Sequence, residues 1–286
     1  MRIKRFMMGL AWTTGILLLL WLILAQGCMT FRKSDSAAQK EFAKDSLSLT
    51  TGTIIVDKRH IHYAMIGSDT LPTLFFVHGS PGSWDAFERY LKDKDLRQRF
   101  RMVSIDRPGF GHSDFGSPEH LARQSELISP LFTILNNHRP AYIAGHSLGG
   151  PMVVKLVADN PGMFSGLVIL SGSIDPAEEK PEKWRPWLYK TPLNYFVPGA
   201  MRPSNEELWY LKKDLVDLKE DFALITCPVY FVHGSADPWV PPANTEYGEK
   251  LLVNSPKVEV TMIPGANHFI PWQHFKEIKI VLLKLY

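Results

Sequence analysis

Cysteine is scarce in this chain of 286 residues, which contains only Cys28 and Cys227. Two cysteines so far apart cannot form the disulfide framework of a small secreted fold, and we interpret Cys227 as a small buried residue. The sequence also lacks the clustered His, Cys, Asp and Glu spacing of a zinc site. These absences exclude a disulfide scaffold and predict that no metal is bound.

Net positive charge is confined to the first 44 residues. Those residues carry seven Lys or Arg and two Asp or Glu, whereas the whole chain has a net charge of only +3, so residues 45–286 sum to −2. A nucleic-acid-binding domain needs a cationic stripe, which this part of the chain does not offer. We therefore expect no nucleic-acid partner.

A long uncharged run, Phe6–Met29, follows three basic residues, Arg2, Lys4 and Arg5. Crossing a bilayer takes about 20 residues, and basic residues before the span predict a cytoplasmic N-terminus. Residues 1–30 are then either an uncleaved signal anchor or, because Leu24–Cys28 resembles a bacterial lipoprotein signal, a leader cleaved before a lipidated Cys28. Both alternatives tether the rest of the chain to a membrane on its non-cytoplasmic side, in a bacterial periplasm or at the cell surface.

Short apolar runs alternate with helical stretches over residues 52–174 and again over residues 223–286. This alternation predicts one α/β core domain with a mainly parallel, doubly wound sheet, which binds ligands at the carboxyl ends of its strands. Residues 31–51 have little periodicity, and we interpret them as a polar tether. Residues 175–222, with three Trp, three Tyr and six Pro, break the rhythm, and we interpret them as an inserted, mostly helical cap.

The sequence Gly145-His146-Ser147-Leu148-Gly149 lies between a predicted strand, residues 141–144, and a predicted helix that ends near Asp159. A Gly-x-Ser-x-Gly turn in this context is typical of a nucleophile elbow, where glycines permit a sharp turn that lifts the serine hydroxyl clear of the strand. Ser147 is therefore the candidate nucleophile. The backbone N–H of Leu148, the next residue, is a candidate donor to a substrate oxyanion.

A second loop, His78-Gly79-Ser80-Pro81-Gly82, leaves the carboxyl end of a predicted buried strand. Such a loop can present a backbone N–H towards a developing oxyanion, and the donor here is Ser80 because Pro81 has no N–H. Asp237 and His268 lie in the loops that follow the last two predicted strands. We interpret His62, Asp106, Arg107 and His112 as structural.

Taken together, these loops and the cap make residues 52–286 resemble the α/β-hydrolase superfamily, in particular its capped serine hydrolases, which share the chain order Ser147, Asp237, His268. The resemblance implies that Ser147 attacks an acyl carbonyl, that His268 transfers the protons and that Asp237 orients the imidazole. Asp175 is the alternative acid. The haloalkane dehalogenases and epoxide hydrolases of the superfamily have aspartate at the elbow, and proline iminopeptidases have tryptophan where Leu148 stands, so these activities are disfavoured.

The function that we expect from this resemblance is the hydrolysis of carboxylic esters of small or medium acyl groups, with no metal or organic cofactor. Amide or carbon–carbon bond hydrolysis by the same Ser147 is one alternative. A catalytically silent binding protein that keeps the fold is another. The sequence gives no indication of the oligomeric state.

Overall fold

The computed structural model describes residues 2–286, so Met1, the first residue of the predicted leader, lies outside the described residues. The described chain forms eight strands: β1 (Thr50–Val56), β2 (Arg59–Ile66), β3 (Thr73–Val77), β4 (Arg101–Ile105), β5 (Ala141–His146), β6 (Gly166–Leu170), β7 (Val229–Gly234) and β8 (Val258–Ile263). They build one sheet with the order β1-β2-β4-β3-β5-β6-β7-β8. The first two strands form an antiparallel hairpin at one edge, and β2 pairs antiparallel to β4.

The other six strands are parallel, which confirms the predicted mainly parallel α/β sheet. Eleven α-helices are present in the described residues: α1 (Arg2–Gly27), α2 (Asp35–Lys44), α3 (Glu88–Lys92), α4 (Lys94–Arg99), α5 (Leu121–Ile134), α6 (Gly149–Asp159), α7 (Arg185–Tyr189), α8 (Met201–Leu218), α9 (Ala243–Leu251), α10 (Ile270–Gln273) and α11 (Phe275–Leu283). Every residue of β3, β4, β5, β6 and β7 is buried. Strands buried on both faces need a helical layer on each side, and two separate apolar layers provide it.

The segment before the sheet is not the polar tether that the sequence predicted. Residues 35–44 form α2, with Ser34 as its N-cap. Ala38 and Phe42, four residues apart on one helical face, are fully buried, and the Phe42 ring lies 6.4 Å from that of Trp84. The prediction was wrong because this two-residue apolar stripe is enough to dock a short helix when the core offers an aromatic partner.

The cap segment, residues 175–222, is mostly helical and includes α7, a 3₁₀ helix over Pro192–Phe196, and α8. Ser204 and Glu207 have the spacing of a capping box, which predicts a helix start at Ser204, but the long helix begins three residues earlier, at Met201. Ser204 and Glu207 do not cap it. Both side chains are buried and form hydrogen bonds with the core domain. A buried polar group needs a hydrogen-bond partner, and for these two side chains that partner is a core residue and not the helix end.

Helix α1 has almost no buried surface. Its stretch Lys4–Gly27 is apolar and long enough to cross a membrane by length and composition. Only its last two turns contact the rest of the chain: Trp21 and Gln26 donate hydrogen bonds to the 3₁₀ helix of the cap and to Val197 beside it. The cap is thus attached to the apolar helix on one side and to the core on the other.

Candidate active site

Ser147 lies at the turn between β5 and α6 with a backbone φ of 56°. This left-handed conformation is costly for a residue with a side chain and persists only where the surroundings enforce it. Here two close backbone approaches enforce it: a Cβ on Gly145 would lie 2.1 Å from the Gly149 carbonyl oxygen, and one on Gly149 would lie 2.3 Å from that of Val77. The glycines are therefore a steric requirement of the turn that exposes the Ser147 hydroxyl.

His268 and Asp237 form a buried pair at the carboxyl ends of β8 and β7. The His268 Nδ1 and Asp237 Oδ2 atoms are 2.7 Å apart. A carboxylate can only accept, so Nδ1 carries the proton and Nε2 is left as an acceptor. The other carboxylate oxygen, Oδ1, accepts two backbone N–H bonds at 2.9 Å, from Trp239 and Val240.

The electrostatics of Asp237 favour its charged form. Burial by itself raises the pKa of this carboxyl, but the hydrogen bond from His268 and the two backbone N–H bonds outweigh it, so that the pKa lies below its usual value. A carboxylate that stays ionised can hold the imidazole in one tautomer and stabilise an imidazolium. Asp175 does not take this role, because its Oδ1 accepts the Ala177 N–H instead.

Ser147 and His268 line the same cleft, although among the described residues no hydrogen bond within 3.5 Å joins their side chains. In unliganded sites such bonds are commonly long and tighten with substrate. His146, the neighbour of Ser147, links the two loops directly, since its Nε2–H donates to the His268 carbonyl oxygen at 3.0 Å. Its ring lies 4.9 Å from that of His268.

His146 is neutral in this position. Burial, reinforced by the nearby His268, lowers the pKa of the His146 imidazole to about 3. A neutral ring with Nε2–H keeps its donor for the His268 backbone at working pH. The elbow pattern does not single out His146, because its position in that pattern accepts any amino acid.

The loop of residues 78–82 passes directly over the elbow: a Cβ on Gly79 would lie 2.8 Å from the Ser147 Cβ. Ser80 and Leu148 both line the cleft, and within residues 2–286 neither backbone N–H donates to a protein acceptor. Free N–H groups that face a cleft are available to an oxyanion. The structure therefore brings the two predicted donors to the cleft that also holds Ser147.

Arg107, which we interpret as structural, fixes this loop of residues 78–82 and also reaches the cap. Its side chain donates to the carbonyl oxygens of His78 and Gly79, both at 3.0 Å. The guanidinium forms two further bonds of 2.8 Å with the Glu207 carboxylate on α8. Both side chains are almost completely buried, so this ion pair is a core-to-cap link shielded from water.

Asp106, His62 and His112 have structural contacts, which confirms their interpretation. Asp106 accepts hydrogen bonds from the Trp84 and His112 backbone and from the His62 ring. The second ring nitrogen of His62 contacts Asp35 on α2. Burial opposes protonation, but the two carboxylates outweigh it and raise the pKa of His62. The bonds of His62 to Asp35 and Asp106 join α2 to the loop that begins at Asp106.

The cleft has a volume of about 1090 Å³ and lies between the strand ends and the cap. Two partly exposed aromatic side chains, Trp239 and Phe269, lie beside His268, with ring centroids 5.4 and 6.2 Å from that of its imidazole. Trp272 follows at 6.0 Å from Phe269 in a tilted arrangement. Met201 and Leu208 of α8 line the opposite side. This lining suits an apolar ligand with a few polar anchors. In residues 2–286 no group of three or more His, Cys, Asp or Glu is arranged to hold a metal ion.

Comparisons with known proteins agree with this architecture. Residues 72–203 match a family model described as the alpha/beta hydrolase fold. Epoxide hydrolase 4 of Mus musculus is 26% identical over 167 residues, which are 57% of this chain and 46% of that protein, so the chain spans about half the length of this relative. The pimeloyl-[acyl-carrier protein] methyl ester esterase of Nitrosomonas europaea is 23% identical over 259 residues, or 76% of this chain and 95% of the esterase.

A solved structure of a membrane phospholipase A, a bacterial virulence factor, is similar over 99% of both chains, with a TM-score of 0.62 at 20% identity. At that identity the likeness concerns the fold alone. The sheet order, the elbow and the family match together define the class of architecture: the chain has the α/β-hydrolase fold. The similar proteins include epoxide hydrolases, an esterase and a diacylglycerol lipase, which supports a hydrolase.

Proposed function

We propose that the protein is a membrane-tethered serine hydrolase that cleaves carboxylic esters through Ser147, His268 and Asp237. The observation that carries the proposal is the buried His268–Asp237 pair, at 2.7 Å, in the same cleft as a serine held at φ 56° on a strand-to-helix turn. The two free N–H groups of Ser80 and Leu148 complete the set of groups that acyl transfer requires.

In the proposed reaction, His268 Nε2 takes the proton of the Ser147 hydroxyl while Oγ attacks the ester carbonyl carbon. The carbonyl oxygen gains the negative charge, and the N–H groups of Ser80 and Leu148 stabilise it by about 3 kcal/mol per donor. Collapse of this intermediate breaks the bond to the alkoxy group, which leaves as an alcohol with the proton from His268. Water, deprotonated by His268, then hydrolyses the acyl-enzyme.

The serine at the elbow favours esters over epoxides, although epoxide hydrolases are among the similar proteins. A serine oxygen that opened an epoxide would form an ether, which has no carbonyl carbon for water to attack. The enzyme would stop after one turnover. An acyl-enzyme ester, by contrast, is hydrolysed by the same base and the same oxyanion donors that formed it.

The tethering part of the proposal is supported by α1, which is apolar over Lys4–Gly27 and unburied. Basic residues before it favour a catalytic domain on the non-cytoplasmic side. The structure also favours an uncleaved anchor over a lipoprotein leader. The Ala25 carbonyl accepts the Gly199 N–H at 2.8 Å, and Trp21 and Gln26 also bond to the cap, so cleavage before Cys28 would remove all of these contacts.

The test is active-site labelling of the full chain in detergent. A fluorophosphonate should label Ser147, and Ser147→Ala should abolish labelling and lower the turnover of p-nitrophenyl butyrate at least about 10³-fold. Ser165→Ala, at an exposed position just before β6, is the control and should retain both. Ester turnover that survives Ser147→Ala would disprove the serine mechanism. Extraction from membranes by carbonate alone would disprove the transmembrane anchor.

A further inference from the structure

Five large apolar side chains of the cap are exposed within one short segment. They are 37% to 64% exposed and occupy α7, the 3₁₀ helix and the residue before α7: Trp184, Trp187, Leu193, Tyr195 and Phe196. We call these five side chains the aromatic rim. The surface of a soluble protein seldom concentrates so many aromatic groups unless a partner or a membrane covers them.

The 3₁₀ part of the aromatic rim, with Tyr195 and Phe196, lies against the last turns of α1. Trp21 Nε1 donates to the Phe196 carbonyl oxygen at 2.8 Å, and Gln26 Nε2 donates to the carbonyl oxygens of Tyr195 and Val197 at 2.8 and 2.9 Å. A further bond joins the Ala200 N–H to the Met29 carbonyl oxygen. The depth of α1 in a bilayer therefore fixes the depth of this part of the cap.

That depth follows from helix geometry. At 1.5 Å per residue, the 16 residues from Arg5 to Trp21 span about 24 Å. The hydrocarbon core is about 30 Å thick, so a helix with Arg5 at one edge places Trp21 about 6 Å inside the other edge, and a tilted helix places it deeper. A backbone segment that hydrogen-bonds to Trp21 cannot stand clear of the membrane.

The chemistry of the segment suits that location. The carbonyl groups of residues 195–197 are satisfied by α1, which removes the main cost of placing backbone at membrane depth. Tryptophan and tyrosine are the side chains that favour the bilayer interface. Residues 180–197 carry four basic groups and one acidic group, a net charge of +3 that complements anionic lipid headgroups.

The cleft opens beside the same surface. Phe31, four residues beyond the end of α1, lines it, and so do Lys180 and Arg185, which flank or interleave with the aromatic rim. Phe31 is about half exposed. A ligand that leaves the bilayer next to α1 therefore meets the cleft wall without first crossing bulk water.

We propose that the lipid bilayer covers the aromatic rim and that the substrate is an acyl ester of a membrane lipid, which enters the cleft from the bilayer. The location of the rim is independent of catalysis. The substrate class rests on the function proposed above, because a lipid ester can be cleaved here only if Ser147 is a nucleophile.

Location can be measured without any activity. The full chain with Cys28→Ser is placed in vesicles of phosphatidylethanolamine and phosphatidylglycerol, and a nitroxide is attached through Trp187→Cys or, as the control, Ile55→Cys at the far edge of the sheet. The remaining Cys227 is buried, and burial raises its pKa to about 11, which suppresses labelling. We expect the label at position 187 to favour collisions with oxygen and the label at position 55 to favour a water-soluble nickel complex. Equal nickel accessibility at the two positions would overturn the proposal.

The substrate class is tested by comparing two esters. The double variant Trp184→Ser, Trp187→Ser should release fatty acid from the vesicle phospholipid at least about tenfold more slowly than the unsubstituted chain, because interfacial binding scales with buried apolar area. Its turnover of soluble p-nitrophenyl butyrate should change less than about twofold, since no rim side chain touches Ser147 or His268. Ile55→Ser and Ile280→Ser should alter neither rate.

The outcomes separate the two hypotheses. If the unsubstituted chain cleaves the soluble ester but no vesicle lipid, or if the rim variant slows both esters equally, the lipid-substrate proposal is wrong and the serine hydrolase stands. If Ser147→Ala retains the soluble activity, the proposed function is wrong. The nitroxide measurement still decides whether the rim lies in the membrane.

Discussion

Ser147 lies where the parallel strands end, a region that we call the sheet edge. This region and the cap segment that carries the aromatic rim are held in place by different means. At the sheet edge, Gly145 and Gly149 leave no room for a Cβ, and Asp237 is held by three hydrogen bonds. The rim is exposed, and its attachment to α1 is by hydrogen bonds to backbone carbonyls. Close packing fixes the position of the first region. The position of the second region depends on α1 and on whatever covers the exposed rim.

The residues that we propose for catalysis are therefore distinct from the surface that we propose to meet the substrate. Variants at the sheet edge should alter the chemistry in any solvent. Variants at the cap and α1 should alter access or attachment and leave the chemistry intact. The following predictions test that separation in order of decreasing effect.

The largest effect is expected at the sheet edge. Asp237→Asn keeps the shape but removes the carboxylate that accepts the His268 Nδ1–H, so the wrong tautomer is held and kcat for p-nitrophenyl butyrate should fall about 10⁴-fold. Asp175→Asn is the matched control and should change kcat less than about threefold, because Asp175 does not contact His268. A fall in kcat with Asp175→Asn that equals that of Asp237→Asn would contradict the assignment.

The core-to-cap link should be next in magnitude. Glu207→Ala leaves the buried Arg107 guanidinium without its carboxylate and should lower the free energy of unfolding by about 3–5 kcal/mol. Asp217→Ala on the same helix removes an exposed partner of Lys213 and should cost no more than about 0.5 kcal/mol. Chemical denaturation of the detergent-solubilised chain measures both values. Equal losses would show that the buried pair does not stabilise the cap.

Acid should weaken the sheet edge through its buried histidines. Burial lowers the pKa of both His78 and His146 to about 3 in the folded state, so their neutral forms contribute stability that is complete above pH 6.5 and lost as the pH falls towards about 3. His146→Gln should reduce the slope of unfolding free energy against pH by about 1.4 kcal/mol per unit below pH 6. The exposed His138→Gln should leave the slope unchanged, and an unaltered slope for His146→Gln would refute the titration.

The contribution of His62 to stability depends on pH in the opposite direction. The two carboxylates beside it raise its pKa in the folded state, so its stabilising contribution is complete below about pH 6.5 and is lost as the pH rises through the raised value. Asp35→Asn should lessen that loss above pH 6.5. Denaturation at several pH values in this window checks the sign, and Asp57→Asn, at an exposed turn, is the control.

The smallest effect is expected where α1 meets the cap. Trp21→Phe removes one hydrogen bond, worth about 1 kcal/mol, and should raise the exchange of the Gly199 and Ala200 amides about fivefold. Trp12→Phe, on the exposed part of the same helix, should leave the exchange unchanged. Hydrogen exchange followed by mass spectrometry measures both variants, and equal protection would mean that Trp21 does not secure the cap.

Much of the fold could be predicted because its signals are local. The strands Thr73–Val77, Gly166–Leu170 and Val258–Ile263 have the bounds that their apolar runs indicate. The predicted helix at residues 84–91 begins instead as a 3₁₀ turn, and the last helix is divided at His274. Such breaks depend on tertiary contacts, which residue spacing does not contain.

The candidate site was predictable to the extent that its residues belong to recognisable loops. Ser147, Asp237 and His268 each follow a strand, so the parallel sheet brings them to one edge. The partners of Glu207 and Ser204 could not be predicted, because they lie 100 and 124 residues away in the chain. Phe31 was also missed, since only the docking of α2 shows that the chain after α1 returns to the cleft.

The bonds between α1 and the cap have one consequence for how this protein can change. On the cap side the acceptors are main-chain oxygens of residues 195–197, which every amino acid provides, whereas the donors are the particular side chains Trp21 and Gln26. Substitutions in the 3₁₀ turn can therefore change the exposed side chains of the cap without loosening its attachment to α1. This surface is free to vary as long as those two helix residues are kept.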